Sequence, residues 1–108
     1  MLGYSVDEPA RVEVDALPGA AVVQFGSNTC GWCRAAQPVI AEAFAGHANV
    51  RHIKVEDGKG RPLGRSYRVK LWPTLIFLQD GQEVARVVRP RDAASIRDAL
   101  DHINPAQA

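Results

Sequence analysis

Residues 20–33 read AAVVQFGSNTCGWC, and this stretch decides the fold. Ala20 to Phe25 is a nearly unbroken apolar run, the pattern of a strand buried on both faces. Gly26-Ser27-Asn28-Thr29 interrupts it. Beyond Cys30 the period changes: Trp32, Ala35, Ala36, Val39, Ile40, Ala43 and Phe44 recur at helical spacing. The spacing predicts a helix from about Gly31 to Ala45, stopped by Gly46 and kinked at Pro38. Two cysteines three positions apart therefore stand where a buried strand turns into a helix.

Working outward, the same alternation continues. Val50 to Val55 reads as a second buried strand. Asp57 to Arg61 is a loop, and Pro62 opens a short helix through about Tyr67. Trp72 to Leu78 is a third strand. Asp80-Gly81 marks a tight hairpin turn, and Glu83 to Val88 is the returning strand. Asp92 is an N-cap for a last helix with Ile96, Leu100 and Ile103 on its apolar face, ended by Asn104-Pro105. Residues 1–19 are ambiguous. Val12 and Val14 alternate as in a strand, whereas Ala10, Val14 and Leu17 fit a helix face. Ser5 and Glu8 have the capping-box spacing, which favours a helix over Pro9–Ala16 with a brief strand before it. Strands joined through helices pair in parallel, and the hairpin adds an antiparallel edge. The expected fold class is α/β, a central mixed sheet of four or five strands with helices on both faces.

The bulk numbers narrow the function classes. The chain has 108 residues, the size of one domain, here expected to span 1–108 with its core at about 20–103. With 46% hydrophobic residues it can build a core without disulfide staples. A net charge of +1 argues against a general nucleic-acid binder. Residues 1–25 do not read as a signal peptide, because Asp7, Glu8, Arg11, Glu13 and Asp15 interrupt the region. No apolar run reaches the length of a membrane span. The expectation is a monomer in the cytoplasm, with no membrane or nucleic-acid partner.

In a reducing compartment a lone close cysteine pair is catalytic or metal-binding rather than structural. A zinc site needs about four ligands. His47, His52 and His102 are scattered and no second close pair exists, so no metal and no cofactor are expected. A thiolate at a helix N-terminus is stabilised by the unpaired N–H groups and the helix dipole. This favours redox chemistry, with Cys30 outermost and Cys33 one turn further in.

Phe25, Cys30-Gly31-x-Cys33, Pro38, Tyr67-Arg68-Val69, Trp72-Pro73-Thr74 and Asp80-Gly81 together resemble the thioredoxin family over roughly residues 20–103. The resemblance implies the thioredoxin fold, thiol–disulfide exchange, and a cis peptide bond before Pro73 facing the cysteines. It implies that Cys30 is the nucleophile and Cys33 the resolving cysteine. The implied partners are a disulfide-containing protein and an external reductant such as a thioredoxin reductase or glutathione. The chain departs from the family pattern in places. Trp32 stands where thioredoxins usually carry Pro, and Gln24 where many carry a buried Asp. Gly26 replaces an aromatic residue, and Arg89-Pro90 replaces a Gly-containing loop lining the substrate groove. His52 falls where a Lys often stands. If it faces Gln24, the pair can form a proton relay for Cys33. The alternative, and the commoner case for a lone histidine near an apolar strand, is a core-edge histidine satisfied by hydrogen bonds. Gly31, Trp32, Trp72, Pro73 and Arg89 are the candidate substrate contacts, with the tryptophans as an apolar platform and Arg89 favouring an acidic partner. The leading reading is a protein disulfide reductase, favoured by a cytosolic setting. The competing readings are an oxidant or isomerase, and a non-catalytic module that uses the same surface to bind a partner. The departures point away from a general-purpose protein and towards a selective one.

Overall fold

The computed structural model describes residues 2–103. Its elements are α1 (Arg11–Asp15), β1 (Ala20–Gly26), α2 (Gly31–Phe44), β2 (Arg51–Glu56), α3 (Pro62–Ser66), β3 (Thr74–Gln79), β4 (Gln82–Val88) and α4 (Ala93–Ile103). Among the described residues the sheet has four strands in the order β2-β1-β3-β4. β1 pairs in parallel with β2 and antiparallel with β3. Central placement explains its apolar run: neither face of β1 meets water.

The alternation of β1 sorts its side chains into two cores. Val22 joins Leu75 and Phe77 beneath α2 and α4. Ala21, Val23 and Phe25 join Ile76, Leu78, Val14 and Leu63 on the opposite face, beneath α1 and α3. Gln24 therefore shares the α2 face with Val22, and so does Gly26.

Element ends move by one or two residues from the sequence expectation, and three features differ for a physical reason. β3 begins at Thr74, not Trp72, because Pro73 has no N–H for a ladder and Thr74 Oγ1 donates to Leu71 O (2.6 Å). The Ser5–Glu8 capping box does not form. Glu13 accepts from the Ala10 N–H (2.9 Å), while Glu8 accepts from the Leu63 N–H (3.1 Å), so the short helix is capped from within and Glu8 ties it to α3. The expected leading strand is a single parallel bridge from Ser5 to Val55, at the outer edge of β2. The end at Asn104-Pro105 lies outside the described residues. The hairpin turn at Asp80-Gly81 has positive φ at both positions (51° and 80°), as a turn matched to strand twist requires. Gly81 also has no room for a side chain, since a Cβ there would lie 1.9 Å from the Asp15 carbonyl oxygen.

Candidate active site

Cys30 is the N-cap of α2, and its Sγ accepts from the Cys33 N–H at 3.2 Å. Both thiols are free. Cys30 is partly exposed at the mouth of the site, whereas Cys33 is only 2% exposed. The helix thus offers one sulfur to an incoming disulfide and keeps the other one turn behind it. Burial pushes the Cys33 thiol up to about 11. A hydrogen bond with Cys30 adds to this, and hydrogen bonds from the Ser27 backbone and from Tyr4 oppose it.

The outward side is built from the β3 and β4 ends. The Trp72–Pro73 peptide bond is cis. Trp72 packs against the cluster of Leu2, Tyr4 and Cys33, together with Cys30. Its indole Nε1–H donates to Asp57 Oδ2 (2.9 Å). Trp32 is 53% exposed, and the Arg89 guanidinium lies over its ring, 4.5 Å from the centroid. Arg89 Nε also donates to the Trp72 carbonyl (2.8 Å), and the Arg89 N–H donates to that of Pro73 (2.9 Å). One arginine therefore links both tryptophans. Its φ of 49° is the left-handed backbone that a glycine would adopt without strain, consistent with a position where the family often has one. Nothing crowds Gly31, which leaves the mouth of the site open. A groove of about 220 Å³ lined by Trp32, Ala36, Val39, Arg89 and Pro90 runs along one flank. A wider, basic groove of about 720 Å³ lies beyond Trp72, with Arg61, Arg65, Arg68 and Lys70 along it.

The inward side is polar and closed. Gln24 is 3% exposed. Its Oε1 lies 2.8 Å from His52 Nε2, and its Nε2 donates to the Tyr4 hydroxyl at 2.6 Å. His52 stacks on Phe44, with centroids 4.1 Å apart and planes 10° from parallel. Burial pushes the imidazole down to about 4, helped by the nearby Lys54 charge. Lys54 Nζ sits over the Tyr4 ring (4.9 Å) and donates to the Leu2 carbonyl. Among the described residues no three His, Cys, Asp or Glu side chains converge on one point as a metal site would need.

The structure brings together Gln24 with His52 and Cys30 with Cys33, and adds Tyr4, Asn28 and Asp57, which lie outside every motif the sequence shows. Asn28 clamps the Tyr4 backbone on both sides: Oδ1 accepts from Tyr4 N (3.0 Å), and Nδ2 donates to Tyr4 O (3.0 Å). The available signal was Gly26. A glycine beside the cysteines, where an aromatic residue is common, leaves a space that some other ring must fill.

Comparison with known proteins gives a consistent result. A family model described as Thioredoxin matches residues 7–102. Among curated proteins, thioredoxin Asp f 28 of Aspergillus fumigatus is 28% identical over 100 residues, covering 93% of each chain. Thioredoxin H-type 1 of Nicotiana tabacum is 31% identical over 85 residues, 79% of this chain and 68% of that protein. Among solved structures, thioredoxin 2 from Pseudomonas aeruginosa PAO1 in its reduced form is 55% identical. It superposes with a TM-score of 0.83 over 93% of both chains.

Proposed function

The chain belongs to the thioredoxin family and is a thiol–disulfide oxidoreductase, and from that premise we propose that it works as a reductant of protein disulfides. The observation that carries this is the unequal pair: Cys30 open at a helix N-cap, Cys33 buried behind it with its N–H on Cys30 Sγ. The Cys30 thiolate attacks one sulfur of a substrate disulfide and expels the other as a thiolate. Cys33 then attacks Cys30 Sγ. The Cys30–Cys33 bond forms, the bond from Cys30 to the substrate breaks, and the second substrate sulfur leaves. Two electrons and two protons pass from the dithiol to the substrate, and an external dithiol or reductase returns them. The cytoplasm is the compartment that fits this direction, with the protein acting as a monomer.

The substrate segment docks on the outward side. Trp32 and Trp72 supply apolar area, Pro73 and Gly31 line the approach, and Arg89 between the tryptophans favours an acidic segment.

The direction is tested by equilibrating Cys30–Cys33 in glutathione buffers. A reductant gives a potential of about −250 mV or lower, and a value of about −180 to −120 mV would make the protein an oxidant or isomerase. In parallel, wild type accelerates insulin reduction by dithiothreitol, and Cys30→Ser removes the acceleration with the fold intact. Partner binding without any exchange would favour the docking module instead.

A further inference from the structure

We propose that the Tyr4 hydroxyl is a catalytic hydrogen-bond donor to Cys33 Sγ, aimed there by a one-way chain from His52 through Gln24. It serves the resolving step whichever direction the exchange runs.

The backbone sets the position. Ser5 N donates to Lys54 O (3.0 Å) and Glu56 N donates to Ser5 O (2.8 Å), which fixes residue 5 against the edge of β2. With Asn28 holding residue 4 from the other side, Tyr4 projects under the start of α2. Gly26 locates the meeting point. A Cβ on Gly26 would lie 2.6 Å from the Tyr4 hydroxyl oxygen and 2.7 Å from Cys33 Sγ, so both atoms crowd the space above one glycine.

Donor accounting then gives the direction. The Gln24 carbonyl oxygen can only accept, so at 2.8 Å the hydrogen belongs to His52 Nε2. The neutral imidazole supplies it, and Phe44 holds the ring in place. The Gln24 amide nitrogen can only donate, and it gives to the Tyr4 oxygen. The phenol hydrogen is left for Cys33. Every donor in the chain points towards the sulfur. Burial raises the Tyr4 phenol far above its ordinary value, so it stays a donor throughout the working range.

The chemistry needs such a group. Cys33 must carry negative charge while enclosed by apolar neighbours, and a donated hydrogen bond stabilises that charge. The titratable and charged groups that act on it are Cys30 at the N-cap of α2, Lys54 on β2 and Tyr4 itself, with His52 one residue further off behind Gln24. As Cys33 closes on Cys30, its proton goes to the departing substrate thiolate. His52 is then an orienting donor at the far end of the chain, not the acceptor of the Cys33 proton.

The test uses the aromatic disulfide dithiobis(nitrobenzoate), which reports each step. The reduced protein releases one nitrothiolate when Cys30 attacks and a second when Cys33 resolves. Tyr4→Phe keeps the ring and removes the donor. The second phase slows about tenfold, the effect of one hydrogen bond to a charged sulfur, while the first stays within about twofold. In a Cys30→Ser background the ¹³Cβ titration of Cys33 moves to higher pH. Gln24→Leu acts in the same direction, and the double variant is no slower than Tyr4→Phe. If Tyr4→Phe melts like wild type but leaves the second phase and the Cys33 titration unchanged, the proposal is overturned. Strictly additive slowing in the double variant overturns the single chain. Wild type gives an independent reading: the Tyr4 ¹³Cζ resonance shifts as Cys33 titrates, and the absence of any inflection there counts equally against the donor role.

Discussion

The two sides of the dithiol are built on opposite plans. Outward, Trp32, Trp72 and Arg89 present rings and one cation to solvent, with grooves on either flank. Inward, Tyr4, Gln24 and His52 form a hydrogen-bonded line with its middle member 3% exposed. The outward side keeps more freedom, because Trp32 is half exposed and the Arg89 guanidinium lies over its ring, although Trp72 is also held by Asp57 and packs inward on Tyr4 and Cys33. The inward side has no such freedom. Each buried polar atom needs its partner, and losing one leaves another unsatisfied. On the proposed roles of these residues, the contrast would separate selection of a disulfide from the rate at which the mixed disulfide resolves.

The inward side is most readily disturbed by acid. In the folded protein His52 accepts a proton only near pH 4, whereas in the unfolded chain it does so near 6.5. Between those values the unfolded state binds more protons, so stability falls as pH falls through this window and levels off below it. The loss is at most about 3 kcal/mol, less to the extent that water reaches the half-buried ring. Urea midpoints at pH 7, 5.5 and 4.5 measure it. His52→Gln, which keeps an N–H for Gln24, flattens that part of the slope; identical slopes in the two proteins would show that His52 is not held neutral.

Next in size is the space above Gly26. A methyl group there meets Tyr4 Cζ at 2.5 Å and Cys33 Sγ at 2.7 Å, closer than carbon contacts allow. Tyr4 cannot retreat as a whole, since Asn28 and Ser5 hold its backbone. Gly26→Ala therefore costs about 1–3 kcal/mol in denaturant unfolding, the usual range for overpacking. It also slows the resolving phase while sparing the attack by Cys30. An equal loss in both phases would mean that the two sides are not separable.

What could be read in the sequence follows the same division. The buried run Ala20–Phe25, the helix after Cys30 and the hairpin at Asp80-Gly81 are local signals, and they place the cysteines at the strand–helix junction. Gln24 and His52 are legible as a pair only through the family resemblance, which puts Gln24 where a buried Asp is common and His52 where a Lys often stands; that they sit on neighbouring strands comes from the structure. Tyr4 was not legible. It sits beside a single β-bridge, in a segment too short for any period, and its role comes from contacts 20 to 29 residues away with Gln24, Asn28 and Cys33. The Ser5–Glu8 spacing misleads for a related reason. Glu8 is drawn to the Leu63 N–H, a tertiary partner that local spacing does not encode. The apolar run includes Trp72 in the strand, but Pro73 delays the ladder to Thr74, and the Trp72 indole reaches Asp57 instead.

The smallest expected effect lies on the outward side and isolates selection from rate. Arg89 holds a left-handed backbone that disfavours a side chain, so Arg89→Gly removes the guanidinium without adding strain. The lost contacts are a cation over the half-exposed Trp32 ring and a partly buried hydrogen bond to the Trp72 carbonyl, worth about 1–2 kcal/mol together. Relief of the backbone offsets part of this, so global stability changes little. Substrate affinity does change. For a disulfide peptide with acidic flanks, KM rises about fivefold in Arg89→Gly, roughly the equivalent of 1 kcal/mol, and wild type loses the same advantage as salt is raised. A neutral peptide shows no such difference. Trp32→Ala raises KM for both peptides, because the ring contributes area rather than charge. In neither variant does the second nitrothiolate phase move. A slower second phase in Arg89→Gly would mean that the outward residues reach through to Cys33, and the division between selecting a disulfide and resolving it would have to be given up.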